Sequence, residues 1–107
     1  MTYEVFNSEA FCGYTQQTTF WQDFTIADAF GINAVKDTYR RASAAWKNDK
    51  VYMTELVMVL NWKSWVHYER GNHKLSQVYA DLYYKARELA FITLKGEDLK
   101  YFIQTTD

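Results

Sequence analysis

Proline is absent from this sequence, glycine occurs four times and cysteine once. Because proline and glycine are the residues that most often interrupt helices, their scarcity favours long helical segments. The single thiol, Cys12, excludes an intramolecular disulfide and a thiolate metal cluster within one chain. The sequence also lacks an apolar run of membrane-spanning length and the basic start and apolar run of a secretory signal. We therefore expect a cytoplasmic protein.

A strong charge of either sign is also missing. Twelve Lys and Arg side chains stand against thirteen Asp and Glu, giving a net charge of -1, which provides no overall attraction to nucleic acid or to an anionic membrane. Apolar residues make up 49% of the 107 positions and charged residues 23%, a balance typical of a globular chain with one core. The sequence predicts a single domain, 1–107, with an N-terminal arm over 1–18 and a helical core over 19–107.

Apolar residues recur at helical spacing through most of the chain. The pattern predicts helices over 20–30, 33–47, 52–70 and 73–95, and a short final helix after Gly96. Thr19 and Gln22 have the spacing of a capping box, and Asn33 is a suitable N-cap. The helix over 52–70 is apolar on most sides and is predicted to be the most buried. The predicted fold class is all-α: a bundle of four or five helices with an aromatic-rich, irregular or weakly extended arm.

Few side chains combine into a recognisable catalytic or metal-binding pattern. His67 and His73 flank a predicted turn at Gly71 and lack the spacing that places two imidazoles on one metal ion, so we interpret them as partly exposed. No glycine-rich phosphate loop occurs, and no spacing singles out a pair of carboxylates. The acids considered for such a pair are interpreted as solvated: Asp23, Asp28, Glu55, Glu69 and Asp81. The sequence predicts no catalytic residue, no cofactor and no metal, hence a protein that is not an enzyme.

Aromatic side chains are abundant, since Phe, Trp and Tyr make up 19% of the chain. A small core has limited room for them, and Tyr and Trp are enriched in protein interfaces because they bury a large area at small entropic cost. One interpretation is a surface that binds a partner; the other is an aromatic core with tyrosine hydroxyls at its rim. The candidate contact residues lie off the main apolar stripes: Trp21, Tyr52, Trp65, Tyr68, Tyr83, Tyr84 and Tyr101.

An alternative function rests on the helix over 33–47. Four of its cations could form a local positive strip that meets phosphates: Lys36, Arg40, Arg41 and Lys47. Residues 25–41 also resemble the first half of a helix-turn-helix unit, with Ala27, Gly31, Ile32 and Asn33 at the expected spacing. However, Asp37 and Arg40 stand where the second helix of such a unit should be apolar. Nucleic-acid binding is therefore the alternative, and a solvated helix face is the simpler explanation.

Several short strings in the chain are distinctive: Phe24–Gly31, Lys36–Tyr39, Thr54–Asn61, Leu94–Glu97, and Tyr101-Phe102 followed by Thr105-Thr106-Asp107. Together they resemble a family of proteins of similar length, without an assigned activity, that occurs in gut bacteria, their phages and conjugative elements. The resemblance implies no catalytic or binding residue. It implies a setting, because short accessory proteins of phages and mobile elements often bind host proteins, including defence proteins such as CRISPR components. We therefore expect a non-enzymatic interaction module that inhibits or regulates a host protein.

Overall fold

The computed structural model describes residues 18–106, and within this range the chain forms five α-helices and no β-strand. In chain order the helices are α1 (Phe20–Phe30), α2 (Ile32–Trp46), α3 (Lys50–Glu69), α4 (His73–Thr93) and α5 (Gly96–Thr106). The prediction of an all-α bundle is confirmed. The predicted N-terminal arm, 1–18, lies outside the described residues except for Thr18.

A single glycine joins α1 to α2. Gly31 has φ +111° and ψ −177°, a backbone conformation that residues with a side chain rarely adopt. Its N–H donates to the carbonyl of Ala27 at 3.1 Å, and its own carbonyl accepts from Val35 at 3.2 Å. Because this glycine turns the chain without a loop, α2 begins at Ile32. The prediction that Asn33 caps the helix is therefore wrong.

The start of α1 also differs from the prediction. The Thr19 hydroxyl donates to the Asp23 carboxylate at 2.9 Å and caps no backbone N–H. The N–H of Phe20 donates instead to the hydroxyl oxygen of Thr18 at 3.2 Å. The capping box expected for Thr19 and Gln22 is wrong because a charged carboxylate is the stronger partner for the hydroxyl.

The central helix of the bundle is α3. It begins at Lys50, slightly before the predicted start, because the Asp49 side chain accepts from the N–H groups of Val51 and Tyr52, both at 3.0 Å. The residues from Met53 to Val57 are all buried, so the N-terminal half of α3 is enclosed on every side. The prediction that this helix is the most buried is confirmed.

The other helices pack around α3, and its contact with α4 is the most extensive. Near the turn between them, the Ser76 hydroxyl donates to the carbonyl of Ser64 at 2.9 Å. Every helix contributes fully buried apolar side chains to one core, including Phe24, Val35, Leu60, Tyr79 and Phe102. In this helical part of the chain, no helix has both the length and the apolar character needed to cross a membrane.

Candidate functional site

Four polar side chains from three helices meet in the interior: Asp28 of α1, Lys63 and His67 of α3, and Tyr79 of α4. We call this group the Asp28 cluster. Asp28 Oδ2 accepts from Lys63 Nζ at 3.0 Å and from His67 Nε2 at 2.9 Å. Asp28 Oδ1 accepts from the Tyr79 hydroxyl. The side chains of Lys63 and His67 are only 4% and 5% exposed, so one carboxylate holds two other helices from the inside.

Lys63 has further partners beside this carboxylate. Its Nζ donates to the Thr25 hydroxyl at 2.7 Å. The same Nζ lies 4.6 Å from the centroid of the Trp21 ring, a distance at which the cation is attracted to the aromatic face. A buried ammonium is tolerated only when such contacts replace its hydration. Trp21, one of the candidate contact residues, therefore covers the cluster.

His67 is held from three directions. Its ring stacks on Tyr79 with centroids 5.5 Å apart and planes at 9°. Its Nδ1 lies 3.3 Å from the side-chain amide nitrogen of Asn72, which can only donate. In this arrangement Nδ1 accepts from the amide of Asn72, and Nε2 donates to Asp28. Both ring nitrogens are thus used inside the cluster.

The cluster shifts the pKa of three of its members. Burial raises the pKa of the Asp28 carboxyl, but hydrogen bonds from His67 and Tyr79 and the charge of Lys63 outweigh burial, and the pKa is lowered overall. Burial lowers the pKa of Lys63 despite the attraction of Asp28. The pKa of Tyr79 is raised, first by burial and then by the neighbouring carboxylate. At neutral pH Asp28 is therefore ionised and Tyr79 is a neutral donor.

Shifted pKa values are common in catalytic centres, but this cluster has the contacts of a structural anchor. Of the three surface cavities described below for residues 18–106, none is lined by Lys63, His67 or Tyr79. The donors that face Asp28, from Lys63, His67 and Tyr79, are all engaged with its carboxylate. Within the same residues, no three His, Cys, Asp or Glu side chains gather where they could hold a metal ion. What the arrangement does chemically is fasten α1 to α3 and α4.

Three expectations about polar residues are corrected. Asp28 and Glu55 are not solvated: Asp28 lies in the cluster, and Glu55 is buried within α3. His67 is buried rather than partly exposed, because Asp28 and Tyr79 enclose it, whereas His73 is exposed. Local spacing does not reveal Asp28 and His67 as partners because 39 positions separate them in the chain.

A signal for the cluster is nevertheless present in the sequence. Lys63 and His67 continue the apolar face that Leu56 and Leu60 begin, at helical spacing. Asp28 follows Phe24 by one turn on the buried side of α1. Charged or polar residues on the apolar faces of two helices, with opposite signs, indicate a buried pair.

The candidate contact residues fall into two groups. Trp65, Tyr68 and Tyr84 are exposed. The others are half-buried: Trp21, Tyr52, Tyr83 and Tyr101. Six further large apolar side chains, not selected from the sequence as contact residues, are exposed: Ile26, Phe30, Trp46, Phe91, Ile92 and Ile103. Aromatic side chains therefore both surround the core and stand in solvent, and partner binding by any of them stays a prediction.

The outer side of α4 carries an apolar surface formed by Tyr84, Phe91 and Ile92, which we call the α4 face. Tyr84 is 66% exposed and Ile92 65%. Phe91 contacts Phe102 of α5 edge-on, with ring centroids 5.9 Å apart. A depression of 360 Å³ lies along this face, and its charged lining residues are Asp81, Lys85, Arg87 and Glu88. The α4 face thus combines exposed apolar side chains with charged residues next to them and between them.

A larger groove, of 650 Å³, lies between α1 and α2, and we call it the α1–α2 groove. The small side chains of Ala34 and Ala42 line it on the α2 side. Phe30, which is 80% exposed, stands at one end of the groove. Trp46 and Tyr52 form the other end, with ring centroids 4.0 Å apart. The groove is therefore bounded by aromatic rings, and its lining is mixed, with Asp23, Asp37 and Arg41 beside the apolar side chains.

The cations of the nucleic-acid alternative are partly neutralised. Arg41 Nε lies 3.0 Å from the carboxylate of Asp37, and Arg40 pairs with the same carboxylate. These hydrogen bonds lower the pKa of Asp37, so it remains ionised and offsets part of their charge. Lys36 and Lys47 are exposed. The one-residue link between α1 and α2 is also shorter than the turn of about three or four residues in a helix-turn-helix unit.

The remaining exposed aromatic pair lies where α3 meets α4. Trp65 and Tyr68 contact each other edge-on with centroids 6.3 Å apart, beside a depression of 250 Å³ that Ser64 and Ser76 also line. The described residues thus combine a buried ionic cluster with three exposed apolar surfaces. Comparison with known protein families, curated proteins and solved structures finds no match for this chain.

Proposed function

We propose that this protein is a non-enzymatic interaction module that binds a partner protein through the α4 face. The observation that carries the proposal is the row formed by Tyr84, Phe91 and Ile92 on the outer side of α4. Residues seven and eight positions apart lie on one side of a helix. The three side chains therefore lie on one side of α4, and Arg87 and Glu88 line the depression between Tyr84 and Phe91.

The composition of this surface supports the proposal. Tyr, Phe and Arg are enriched at protein interfaces, where an apolar centre is surrounded by charged residues. The Arg87 guanidinium lies 5.8 Å from the Tyr83 ring and 5.6 Å from the Phe91 ring, which limits its motion before binding and so reduces the entropy lost on association. Burial of a large apolar side chain contributes about 1.5–3 kcal/mol. Burial of Tyr84 and Ile92 together would therefore contribute a large share of the free energy of binding.

Tyr84 and Ile92 of the α4 face point away from the core, whereas Phe91 also contacts Phe102 of α5. The helix packs into the core through the buried residues Tyr79, Leu82, Ala86 and Ala90, which lie on its other side. Polar side chains at positions 84 and 92 would be compatible with this packing. A single exposed apolar residue needs no explanation, but three large ones on one side of a helix favour an interaction site.

The setting implied by the resemblance supports a proposal about the partner. Accessory proteins of phages and mobile elements often act on host proteins, so we propose that the partner is a host protein that this chain inhibits or regulates. Defence proteins, including CRISPR components, are the first group to test. The net charge of -1 and the pairing of Arg40 and Arg41 with Asp37 favour a protein partner over nucleic acid.

The test is affinity capture from host lysate, with and without nuclease and at two salt concentrations, followed by titration calorimetry with the purified partner. The interface variant is Tyr84→Ser with Ile92→Ser. The matched control is Ile26→Ser with Phe30→Ser, because these side chains are similarly exposed but lie on α1. We expect the interface variant to weaken binding roughly 100-fold, equivalent to about 3 kcal/mol, and the control to bind like the unsubstituted chain.

Two results would contradict the proposal. Equal affinity for the purified partner in both variants would exclude the α4 face as the contact surface. Recovery of nuclease-sensitive material alone, released by modest salt, would favour the nucleic-acid alternative. Circular dichroism of each variant checks that a loss of binding does not arise from unfolding.

A further inference from the structure

We propose that two copies of this chain associate through their α4 faces, with the two α4 helices antiparallel. Tyr84 and Ile92 are 66% and 65% exposed, so both side chains are accessible to a second copy. The inference concerns the same surface as the proposed function but does not depend on a host partner. The charged residues beside Tyr84 and Ile92 identify the occupant.

The two ends of the α4 face carry opposite charges on exposed side chains. Asp81 stands three positions before Tyr84 and lines the same depression. Lys95 stands three positions after Ile92, and its Nζ lies 3.0 Å from the Ile92 carbonyl oxygen. Asp81 Oδ1 accepts from Gln77 at 3.0 Å. Because a carboxylate accepts several hydrogen bonds and an ammonium donates three, each end can bind a further group of opposite charge.

An antiparallel second copy places these ends against each other. In a twofold contact between antiparallel helices, residues at equal distances on either side of the axis face each other. The midpoint of Asp81 and Lys95 is position 88, and the midpoint of Tyr84 and Ile92 is also position 88. One axis therefore brings Asp81 to Lys95 of the second copy and Tyr84 to its Ile92, and the symmetry repeats both pairs.

The centre of the contact is complementary as well. The midpoint of Lys85 and Glu88 lies between positions 86 and 87, which is about 2 Å from position 88 at 1.5 Å per residue. Long side chains span this offset, so Lys85 of each copy reaches Glu88 of the other. Parallel helices would instead place Asp81 on Asp81 and Lys95 on Lys95, and like charges across an interface oppose association. The order of charges therefore favours a second copy in the antiparallel orientation.

The size of the contact makes the association reversible. Asp81 and Lys95 are fourteen positions apart, which is about 21 Å along a helix. Two helices in contact over this length bury less than the roughly 800 Å² per partner of a standard interface. The dimer therefore dissociates on dilution, which leaves the α4 face accessible to the host protein of the proposed function.

Sedimentation equilibrium of the purified chain tests the proposal without a host protein. We expect the average mass to rise from that of one chain towards that of two between about 10 μM and about 1 mM protein, as a small contact implies. Tyr84→Ser with Ile92→Ser should weaken association at least roughly tenfold, whereas Ile26→Ser with Phe30→Ser on α1 should not. A mass of one chain throughout, or equal weakening in both variants, would overturn the proposal. Capture of a host protein is a separate measurement, so the proposed function can fail or succeed independently.

Charge reversal tests the orientation of the two copies. Asp81→Lys places like charges at both ends of the antiparallel contact, and so does Lys95→Asp, so each variant alone should associate roughly tenfold more weakly. Lys36→Asp, at an exposed position of α2, changes the net charge as Lys95→Asp does and should have no effect.

Two recoveries complete this test. An equimolar mixture of the Asp81→Lys and Lys95→Asp chains should associate like the unsubstituted chain, because opposite charges face each other again, and this recovery also shows that both variants fold. The chain that carries both substitutions should recover as well, since its antiparallel pairs are restored with their signs exchanged. Parallel helices would allow recovery only in the mixture. Failure of either the mixture or the doubly substituted chain to recover would overturn the antiparallel contact.

Discussion

The imidazole Nε2 of His67 lies 2.9 Å from the carboxylate of Asp28, although 39 positions separate the two residues in the chain. Lys63 donates to the same carboxylate oxygen from a position one turn earlier on α3. When one partner of a buried charged group is removed, the others lose their compensation in an environment without water. The attachment of α1 to the bundle should therefore depend strongly on this one carboxylate.

The substitution Asp28→Asn tests this dependence. It preserves the size of the side chain but removes the negative charge that Lys63 faces, and we expect the free energy of unfolding to fall by about 3–5 kcal/mol. Urea denaturation followed by circular dichroism measures the loss. The control is Asp98→Asn, which removes the half-exposed partner of Lys50 and should cost less than about 1 kcal/mol. Equal losses in the two variants would show that the cluster does not anchor α1.

Acid should weaken this anchor. The pKa of Asp28 in the folded protein lies below its ordinary value of 3.8, so the unfolded chain takes up the proton first as the pH falls. The stabilisation by Asp28 is therefore complete well above pH 3.8 and is lost as the pH falls from about 4 through the folded pKa. We expect the stability difference between the unsubstituted chain and Asp28→Asn to shrink over that range in urea titrations.

A solvent-exposed acid serves as the comparison for this pH dependence. The pKa of Asp37 is also lowered, by hydrogen bonds from Arg40 and Arg41, but water and salt screen these pairs. The difference between the unsubstituted chain and Asp37→Asn should therefore vary less with pH. A constant difference for Asp28→Asn between pH 7 and pH 2 would contradict the assignment of an ionised, stabilising Asp28.

The hydroxyl of Tyr79 contributes separately from its ring. Tyr79→Phe keeps the stacking on His67 but removes the donor to Asp28. Because hydrogen bonds to charged groups contribute about 1.5–3 kcal/mol, we expect a loss of that size in thermal or urea unfolding. Tyr84→Phe, at an exposed position of the same helix, should change the stability by less than about 0.5 kcal/mol. If Tyr79→Phe left the free energy of unfolding unchanged, the ring alone would hold α4 against the cluster.

Gly31 should resist substitution for a conformational reason. A side chain placed there would meet no atom within 4 Å, but the backbone angles are nearly exclusive to glycine. We expect Gly31→Ala to lower the free energy of unfolding by about 1–3 kcal/mol. Gly96 has φ +55°, a region that asparagine adopts readily, so Gly96→Asn is the matched control with a smaller loss. Similar losses at both positions would contradict a special role for the joint.

Binding to a nucleic-acid duplex distinguishes the proposed protein interaction from the nucleic-acid alternative. Because Asp37 binds both Arg40 and Arg41, we expect no change in the fluorescence anisotropy of a labelled DNA or RNA duplex at about 0.15 M salt. The chain carrying Arg40→Glu and Arg41→Glu is the comparison. Binding that weakens steeply with salt and is lost in this variant would reverse the order of the two functions.

The helices of this protein could be predicted because their signals are local. The end of α1 follows from Gly31, and the pattern of α4 is regular up to the residues before Gly96. The start of α3 differs because of one side chain: Asp49 accepts two backbone N–H groups and starts the helix earlier than its apolar pattern indicates. Local spacing shows which face of a helix is apolar, but several polar residues in reach of a helix start compete to cap it.

The site could not be predicted from spacing because its members are distant in the chain. Asp28 lies 35 positions from Lys63 and 51 from Tyr79, and only the packing of α1 on α3 and α4 brings them together. A lone acid in a sequence is usually solvated, which is why Asp28 was misread. The exposure of Phe30 could not be predicted for the same reason, because a local pattern does not show whether another helix covers an aromatic ring.

The Asp28 cluster also limits how this sequence can change over generations. A mutation that removes Asp28 alone leaves Lys63 buried without its counter-charge and His67 without its acceptor, so it is disfavoured unless Lys63 also changes. A set of apolar side chains of the same volume in place of the whole cluster can be equally stable. However, each single substitution on the way to it lowers the stability of the protein. Descendants of this chain should therefore keep these positions together or exchange them together, and a compensating pair of changes at 28 and 63 would mark a lineage that crossed this barrier.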